Sequence, residues 1–326
     1  MKLRVAVLYG GRSGEHEISI RSAESIMKAM DRDKYEVLPY FIGKDGRWDP
    51  RPILPEPGAD QGFDVVFPVL HGTFGEDGTM QGLLELADVP YVGAGVLASS
   101  VSMDKDMMKR VCREHGLPIV DYVVLYRGDL DAARVATALP CFPLFVKPAN
   151  LGSSVGITKV RQASDLEAAL RTAAEYDRKI LVERGITGRE FECSVLGNEQ
   201  PVAATPCEIL PSQEFYDYED KYLLDQAKTQ LPADLTEAQT AEMRRLAVAC
   251  YQAVECEGMA RVDFLLEAAT GKFYINEINT IPGFTSISMY PKMWEYSGLP
   301  YAKLVDRLIE LAIARQERKK ATRFTR

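Results

Sequence analysis

The chain has 326 residues, of which 26% are charged and 46% are hydrophobic, and its net charge is −8. This length allows two or three compact units, and the acidic balance argues against a general binder of nucleic acid or of anionic membranes. No apolar run is long enough to span a bilayer, and the start of the chain lacks a signal-peptide pattern. Because the six cysteines have neither CxxC nor zinc-site spacing, we expect reduced thiols and a cytoplasmic protein.

The first part of the chain alternates apolar runs with glycine-punctuated loops. Short apolar runs predict strands at 3–8, 35–42 and 63–70. Helical spacing predicts helices at 17–30 and 80–86. Alternating strands and helices imply a parallel sheet, whose ligands gather at the carboxyl ends of the strands. Glu15 and His71 lie just past such ends, within or beside the glycine-containing loops 10–14 and 71–78. Helix capping by Glu15 and a structural role for His71 are the alternatives.

The middle of the chain places lysines beside small, flexible segments. A domain boundary is predicted near 93–100, and the helix predicted over 103–115 carries Lys105 in its first turn. A cation is mildly unfavourable in that position, which hints at a nearby anion. The run 144–157 predicts a strand that ends in Lys147, then a Gly/Ser loop and a second strand. Such a loop can fold over phosphates, and an ordinary hairpin turn is the alternative.

A second apolar strand in this region ends in a carboxylate. It is predicted at 180–183, after a helix at 165–175, and a further strand is predicted at 190–196. The backbone at the end of such a strand can hydrogen-bond a purine ring, and a carboxylate such as Glu190 can accept hydrogen bonds from ribose hydroxyls. We therefore interpret the strand that ends in Glu183 as the edge of a nucleotide-base site.

The segment between Pro206 and Pro232 has no clean period and is rich in aromatic and charged residues. Long loops tend to be functional or disordered, and the aromatic content argues against disorder, so we predict that 211–225 closes over the site. Helices are predicted after this segment at 235–256 and 299–315. We expect the basic tail, 315–326, to be solvated rather than to bind nucleic acid.

Two alternating runs on either side of Thr270 predict a β-hairpin. With Thr270 at the tip, Asp263 lies opposite Glu277, and Arg261 lies opposite Asn279 on the same face. Two facing carboxylates repel each other unless a cation lies between them, and hard oxygen ligands of this kind suit Mg²⁺. An ordinary solvated face is the alternative.

The same register predicts which hairpin side chains are buried. Strict alternation assigns to the core face Val262, Phe264, Leu266, Tyr274 and Ile278. It assigns to the face of the carboxylates Leu265, Phe273 and Ile275.

The order of these features resembles the ATP-grasp fold, in which ATP lies between two antiparallel sheets. Five motifs extend the resemblance, namely GGRSGEHEIS at 10–19, HGTFGEDG at 71–78, KP at 147–148 with GSSVG at 152–156, YDY at 216–218 with KY at 221–222, and EINTIPG at 277–283. These motifs are similar to those of D-alanine–D-alanine ligases, and they cover nearly the whole chain.

The resemblance implies an α/β fold, with α+β character in the ATP-grasp part. It divides the chain into an N-terminal parallel-sheet domain that binds substrate (1–100), a central ATP-grasp subdomain with the Gly/Ser loop (101–190), and a C-terminal ATP-grasp subdomain with the metal and oxyanion sites (191–326).

The implied activity is the ATP-dependent ligation of two D-alanines to D-alanyl-D-alanine through an acyl phosphate, for peptidoglycan precursor synthesis. The implied cofactors are ATP as co-substrate and two Mg²⁺ ions, for which Mn²⁺ can substitute. The implied assembly is a homodimer without nucleic-acid or membrane partners. A ligase that makes D-alanyl-D-lactate is the alternative, and Tyr222 argues against it because depsipeptide-forming relatives often carry His at that position.

Roles for single residues follow from the resemblance alone. Catalytic roles are implied for Glu15, Ser153, Tyr222, Arg261 and Gly283. Contacts to D-alanine are implied for His71, Lys221 and Ser288. Contacts to ATP are implied for Lys105, Lys147, Ser154, Glu183, Arg184, Ile186, Glu190 and Asn276. The metal ligands are implied to be Asp263, Glu277 and Asn279. Since many relatives carry a lysine where this chain has Arg184, only the backbone contact is expected there.

Overall fold

Three β-sheets organise the part of the chain that the structure, a computed structural model, describes: residues 1–152, 155–210 and 228–323. The strands are β1 (Leu3–Gly10), β2 (Tyr35–Ile42), β3 (Trp48–Asp49), β4 (Val65–Pro68), β5 (Tyr122–Tyr126), β6 (Leu144–Pro148), β7 (Thr158–Val160), β8 (Lys179–Arg184), β9 (Gly188–Leu196), β10 (Val202–Ala203), β11 (Cys207–Leu210), β12 (Lys228–Gln230), β13 (Met259–Glu267) and β14 (Phe273–Asn279). The helices are α1 (His16–Ala29), α2 (Thr79–Leu86), α3 (Val96–Met103), α4 (Lys105–Glu114), α5 (Ala132–Ala138), α6 (Leu166–Tyr176), α7 (Glu237–Ala253), α8 (Met289–Tyr296) and α9 (Tyr301–Lys320), with a 3₁₀ turn at Ala163–Asp165.

The N-terminal sheet has the strand order β3-β2-β1-β4, and β1 runs parallel to both β2 and β4. The predicted parallel sheet is therefore confirmed, with β3 added as an antiparallel edge. The residues from Val5 to Leu8 are fully buried, because helices cover both faces of a parallel sheet. The carboxyl ends of β1 and β4 lead directly into the loops that contain Glu15 and His71.

The C-terminal helices complete the core of the N-terminal sheet. Leu304 and Leu308 of α9 pack in one buried cluster with Val5 of β1, and Asp306 accepts a hydrogen bond from the Tyr35 hydroxyl at 3.0 Å. The predicted helix at 299–315 thus extends to Lys320, and the preceding helix α8 was missed. The tail was expected to be solvated, but its first residue is not. The Arg315 guanidinium stacks on the buried Tyr91, 4.1 Å from the ring centre.

The central sheet has the order β5-β8-β6-β7 and is antiparallel throughout. Its apolar face packs on α5 and α6. The predicted strands that contain Lys147 and Glu183 are confirmed as β6 and β8, whereas β5 and α5 were not predicted. Helix α3 occupies most of the predicted boundary at 93–100. Asp104 separates α3 from α4, and its side chain caps α4 by accepting two backbone N–H bonds at 3.1 Å.

The C-terminal sheet runs β12-β11-β9-β13-β14, with β10 paired to β9. Helix α7 packs behind it and begins at a capping box formed by Thr236 and Gln239. Strands β11 and β12 lie within the segment predicted to be irregular, and the predicted closing loop at 211–225 lies outside the described residues. None of the helices in the described ranges is both long and apolar enough to cross a bilayer.

The hairpin β13–β14 has the predicted register at the site. Asp263 pairs with Glu277, and Arg261 pairs with Asn279. A β-bulge then shifts the register, because Phe264 pairs with Ile275 and leaves one extra residue, Asn276, on β14.

The predicted faces of three β14 side chains are wrong because of this bulge. The extra residue reverses the alternation of β14, so Phe273 and Ile275 pack in the core with Phe264. Tyr274 instead lies on the other face, where its ring stacks under the Arg184 guanidinium at 5.5 Å. Strict alternation cannot show such a bulge, since Phe273, Tyr274 and Ile275 are all apolar and suit either face.

The close packing of β9 on β13 generates a stability prediction at Gly188. A Cβ atom at this position would lie 1.8 Å from the backbone oxygen of Leu266. Gly188→Ala should therefore lower the free energy of unfolding by about 1–3 kcal/mol, as overpacking does. The matched control is Gly82→Ala within α2, where the added Cβ meets no atom within 4 Å and should stabilise the helix by about 0.5–1 kcal/mol. Urea unfolding checks both, and equal effects of the two variants would contradict the packing argument.

Candidate active site

Three loops from different parts of the chain meet around the carboxylate of Glu15. A Cβ added to Gly72 would lie 2.8 Å from Glu15 Oε2, and one added to Gly152 would lie 3.3 Å from the same atom. The loop after β1, the loop after β4 and the start of the Gly/Ser loop therefore approach one another closely. The predicted site residues Ser153 and Ser154 come next in the chain and lie outside the described residues.

His71 is buried, and protein groups contact both of its ring nitrogens. Nδ1 lies 3.0 Å from the carbonyl oxygen of Ile281, and Nε2 lies 3.2 Å from Ser22 Oγ. Burial lowers the pKa of His71, although the neighbouring Glu15 carboxylate acts in the opposite direction. The ring is therefore neutral at neutral pH and joins the N-terminal part of the chain to the loop after β14. Its predicted contact with D-alanine stays a prediction.

Glu76 was missed as a site residue, although it lies in the HGTFGEDG motif. Its carboxylate accepts hydrogen bonds from the backbone N–H of Gly72 at 2.7 Å and of Ile281 at 3.3 Å. Burial, together with the nearby Glu15 carboxylate, raises the pKa of Glu76 to about 8. A carboxyl group kept largely neutral at pH 7 can lie beside Glu15 without adding a second full negative charge.

Three lysines gather where α4 and β6 approach the buried strand β8. Lys147 lies 2.6 Å from the carboxylate of Glu183, and Lys109 lies 3.0 Å from it. Lys105 lies 3.9 Å from Glu277 of the hairpin. Lys109 was not predicted as a site residue. Its position four residues after Lys105, on the same side of a helix, is the signal that could have identified it.

Burial and neighbouring charges shift the pKa values of this cluster in opposite directions. Burial opposes ionisation of Glu183, but Lys109 and Lys147 outweigh it and lower the pKa of the carboxyl to about 2. Burial also disfavours the charged form of Lys147, yet Glu183 raises its pKa above the ordinary value. At Lys105 burial dominates and lowers the pKa, because Glu277 is more distant and Lys147 repels it.

The hairpin contributes the acidic half of the site. Arg261 donates to both carboxylate oxygens of Asp263 at 2.7 Å, and the Asn279 amide donates to Asp263 at 3.0 Å. The bulge aims Asn276 at the lysines, and Lys147 Nζ lies 3.4 Å from its side-chain oxygen. Across the cleft, therefore, a lysine of the central sheet contacts a side chain of the C-terminal sheet.

The predicted metal ligands are chemically suited to Mg²⁺. Asp263 and Glu277 face each other across the ladder, with Asn279 beside them, so the donor set is two carboxylates and one amide oxygen. Among the residues that the structure describes, no group of three or more His, Cys, Asp or Glu is arranged to hold a metal ion.

The predicted contacts for adenine and ribose lie along β8 and β9. The Arg184 side chain is engaged by Glu267 at 2.6 Å, which is compatible with a backbone role for Arg184. Ile186 is partly buried in the turn that follows. Glu190 lies two residues before Glu192, whose carboxylate is 3.3 Å from Arg261, so the two glutamates share the site face of β9.

The loop after β14 places Gly283 against Ser288. A Cβ at Gly283 would lie 2.8 Å from Ser288 Oγ, which also accepts the backbone N–H of Thr285 at 3.0 Å. The two predicted residues are therefore neighbours. Lys221 and Tyr222, predicted to act beside them, lie outside the described residues.

A cleft between two antiparallel sheets, lined by lysines on one side and by paired carboxylates on the other, defines an enzyme of the ATP-grasp class. Family models described as the D-ala D-ala ligase C-terminus and N-terminus match residues 111–310 and residues 4–56 and 50–94. The chain belongs to the D-alanine–D-alanine ligase family.

Individual relatives agree with this assignment. A D-alanine–D-alanine ligase of Solibacter usitatus is 69% identical over 326 residues, which is 100% of both chains. One of a Thermoanaerobacter species is 51% identical and covers 96% of this chain and 97% of its own. Among solved structures, the D-alanine–D-alanine ligase of Coxiella burnetii matches with a TM-score of 0.89, 42% identity and coverage of 98% and 96%. A D-Ala:D-Ser ligase of Enterococcus faecalis matches with a TM-score of 0.87, 34% identity and coverage of 96% and 100%.

The raised pKa of Glu76 predicts a pH-dependent stability. The ordinary pKa of 4.5 applies in the unfolded chain and about 8 applies in the folded one, so the folded state binds the extra proton between these values. The stability that depends on this proton is complete below about pH 4.5 and is lost as the pH rises towards 8. Glu76→Gln cannot ionise but loses one acceptor, so the variant should be less stable than wild type at pH 5.

The difference in the free energy of unfolding between Glu76→Gln and wild type should shrink or reverse by pH 8, by an amount on the order of a few kcal/mol. Melting temperatures of both proteins at a series of pH values measure this difference. Glu24→Gln, an exposed position of α1, is the control and should track wild type throughout. A constant gap between Glu76→Gln and wild type would contradict the assignment.

Proposed function

We propose that this chain joins two D-alanines into D-alanyl-D-alanine, converting ATP to ADP and phosphate, for the synthesis of peptidoglycan precursors. Membership of the family and the 69% identity to a relative of that name support the proposal. The structural observation that carries it is the meeting of Lys105 and Lys147 with the facing pair Asp263 and Glu277 in one cleft.

The first step is the activation of a carboxylate, which is a poor acyl donor because its leaving group would be oxide. Transfer of the γ-phosphoryl group to the first D-alanine makes an acyl phosphate and releases ADP. Lys105 and Lys147 would neutralise the phosphates, as cations do in phosphoryl transfer. Backbone groups from Glu183 to Ile186 would hold adenine, and Glu190 would accept the ribose hydroxyls.

Two Mg²⁺ ions, or Mn²⁺ in their place, would be held by Asp263, Glu277 and Asn279 and would supply charge neutralisation at the phosphates when bound. Arg261 holds Asp263 in place from the side, through two hydrogen bonds of 2.7 Å. These bonds orient the carboxylate, which reduces the reorganisation that ligand binding requires.

In the second step, the amine of the second D-alanine attacks the acyl phosphate, and phosphate leaves. The tetrahedral oxyanion that forms needs fixed donors, which Arg261 and the Gly283 N–H would supply. Glu15 would face the amino group of the first D-alanine, with His71 helping to place that substrate. Ser288, with Lys221, would meet the carboxylate of the second D-alanine. Ser153 and Tyr222, which would connect to Glu15, lie outside the described residues.

We also propose a cytoplasmic homodimer built from three domains. The six free cysteines, five of them buried, are compatible with a reducing compartment. The three sheets support a division into 1–100, 101–190 and 191–326, with both boundaries moved slightly so that α3 (Val96–Met103) and β9 (Gly188–Leu196) each stay whole. The packing of α9 on the N-terminal sheet would join the first and third domains.

The direct test measures phosphate release from ATP by the purified chain with Mg²⁺, with and without D-alanine, and identifies the product by mass. We expect release to depend on D-alanine and the product to be D-alanyl-D-alanine. D-Lactate is then added as a competing acceptor, and preferential formation of D-alanyl-D-lactate would favour the alternative ligase. The absence of any D-alanine-dependent phosphate release would contradict the proposed activity.

The metal assignment is tested by Glu277→Gln. The change is close to isosteric, so the variant should fold. It removes one of two facing like charges but also the carboxylate beside the buried Lys105, so its melting temperature without metal should stay close to that of wild type. Turnover should fall by about 100-fold or more, because charge neutralisation by a metal lowers the activation barrier by several kcal/mol. Glu310→Gln on the exposed side of α9 is the control. Near-normal turnover of Glu277→Gln at ordinary Mg²⁺ would rule out this ligand.

A further inference from the structure

The backbone on the N-terminal side of Gly283 is held at both of its polar groups. Ile281, two residues before Gly283, donates its N–H to Glu76 Oε1 at 3.3 Å. Its carbonyl oxygen lies 3.0 Å from Nδ1 of His71. Both partners come from the loop that follows β4, so the N-terminal sheet anchors this side of the turn.

The backbone on the C-terminal side of Gly283 is held in the same way. Phe284, the next residue, donates its N–H to Ser22 Oγ of α1 at 3.2 Å. Its carbonyl oxygen accepts the Tyr301 hydroxyl of α9 at 2.7 Å. The two peptide segments that flank Pro282–Gly283 therefore have all four of these polar groups bonded to side chains from three separate elements.

Ser22 links the two sides of this arrangement. Its hydroxyl is fully buried and lies 3.2 Å from Nε2 of His71, as well as accepting the N–H of Phe284. One proton assignment satisfies every group. His71 donates from Nδ1 to Ile281, Ser22 donates to Nε2, and Phe284 donates to Ser22. A change at Ser22 therefore affects the backbone both before and after Gly283.

Packing of the Phe284 ring further restricts the backbone conformation next to Gly283. The ring is buried among three others, at centroid distances of 6.2 Å to Phe67, 5.3 Å to Tyr290 and 6.0 Å to Tyr301. A buried aromatic ring in such a cluster has one orientation, which sets the direction of the peptide before it.

We propose that Ser22 and Tyr301, acting with His71 and Glu76, are positioning residues that hold the N–H of Gly283 in line with the oxyanion of the ligation step. This inference rests on the proposed function. None of the four touches the reacting atoms through the contacts described above, and each acts through the backbone. The physical basis is that a donor already aimed at the developing charge stabilises it without a cost of reorganisation.

The test deletes single hydroxyl groups by Ser22→Ala and Tyr301→Phe. Loss of an entire oxyanion donor costs about 100- to 1,000-fold in kcat, so loosening one should cost less, roughly 5- to 50-fold. We expect this fall in kcat with KM for ATP unchanged within about twofold, because the nucleotide cleft lies on other elements. The matched controls are Ser25→Ala, a partly buried serine of α1 whose hydroxyl donates to the Arg21 carbonyl of the same helix, and Tyr40→Phe in β2, whose buried hydroxyl donates to the Gln61 carbonyl.

A second readout separates positioning from a general loss of structure. The affinity of each variant is measured for ADP and for a dipeptide phosphinate, which carries a tetrahedral centre like that of the intermediate. Positioning predicts weaker phosphinate binding at unchanged ADP binding, with both controls at wild-type values. Parallel losses of ADP binding, phosphinate binding and melting temperature would overturn the inference, as would wild-type kcat in both variants.

Tyr301→Phe keeps the test valid if Ser22→Ala does not fold, because Tyr301 is only partly buried and its ring is retained. Measurements on the wild-type protein separate a failure of the proposed function from a failure of the positioning role. If it releases no phosphate in response to D-alanine, the proposed function fails before any variant is examined. If it is active and the variants equal it, only the positioning role fails.

Discussion

The candidate site depends on one buried carboxylate, that of Glu183. It receives Lys109 from α4 and Lys147 from β6, and all three groups are largely removed from water. Burying one charge without partners is costly, and removing one member of a buried pair typically costs about 3–5 kcal/mol. Helix α4 and strands β6 and β8 can therefore pack together only with both lysines beside Glu183. Packing of the fold thus places in the cleft the positive charge that a phosphate site requires.

This local arrangement reconciles an acidic chain with an anionic ligand. The net charge of −8 would repel a nucleotide at long range, but screening limits such repulsion to a distance of about 8–10 Å. Within the cleft, the depressed pKa of Lys105 shows a cation that burial leaves under-compensated. Arriving phosphates would supply the missing negative charge, so ligand binding and lysine protonation favour each other. The hairpin carboxylates Asp263 and Glu277 keep the opposite wall suited to a metal ion.

The reacting end of the site is assembled from both termini of the chain. Helix α9 completes the core of the N-terminal sheet, and the loop around Gly283 is thereby brought over the loops that carry Glu15 and Glu76. Hydrogen bonds from α1, from the loop after β4 and from α9 reach the backbone on both sides of Gly283. The stability of the N-terminal core and the geometry of the proposed oxyanion site therefore share the same contacts.

The sequence by itself determined the parallel N-terminal sheet, the helices flanking it and the pairing of Asp263 with Glu277, because these follow from local periodicity and from the two-residue repeat of a strand. The family resemblance added roles for single residues, since motifs keep their order in the chain. Tertiary structure alone decided the bulge at Asn276, the burial of Lys109 and the four side chains around Gly283. Each of these depends on groups distant in sequence that must satisfy one another once water is excluded, and no local pattern encodes that requirement.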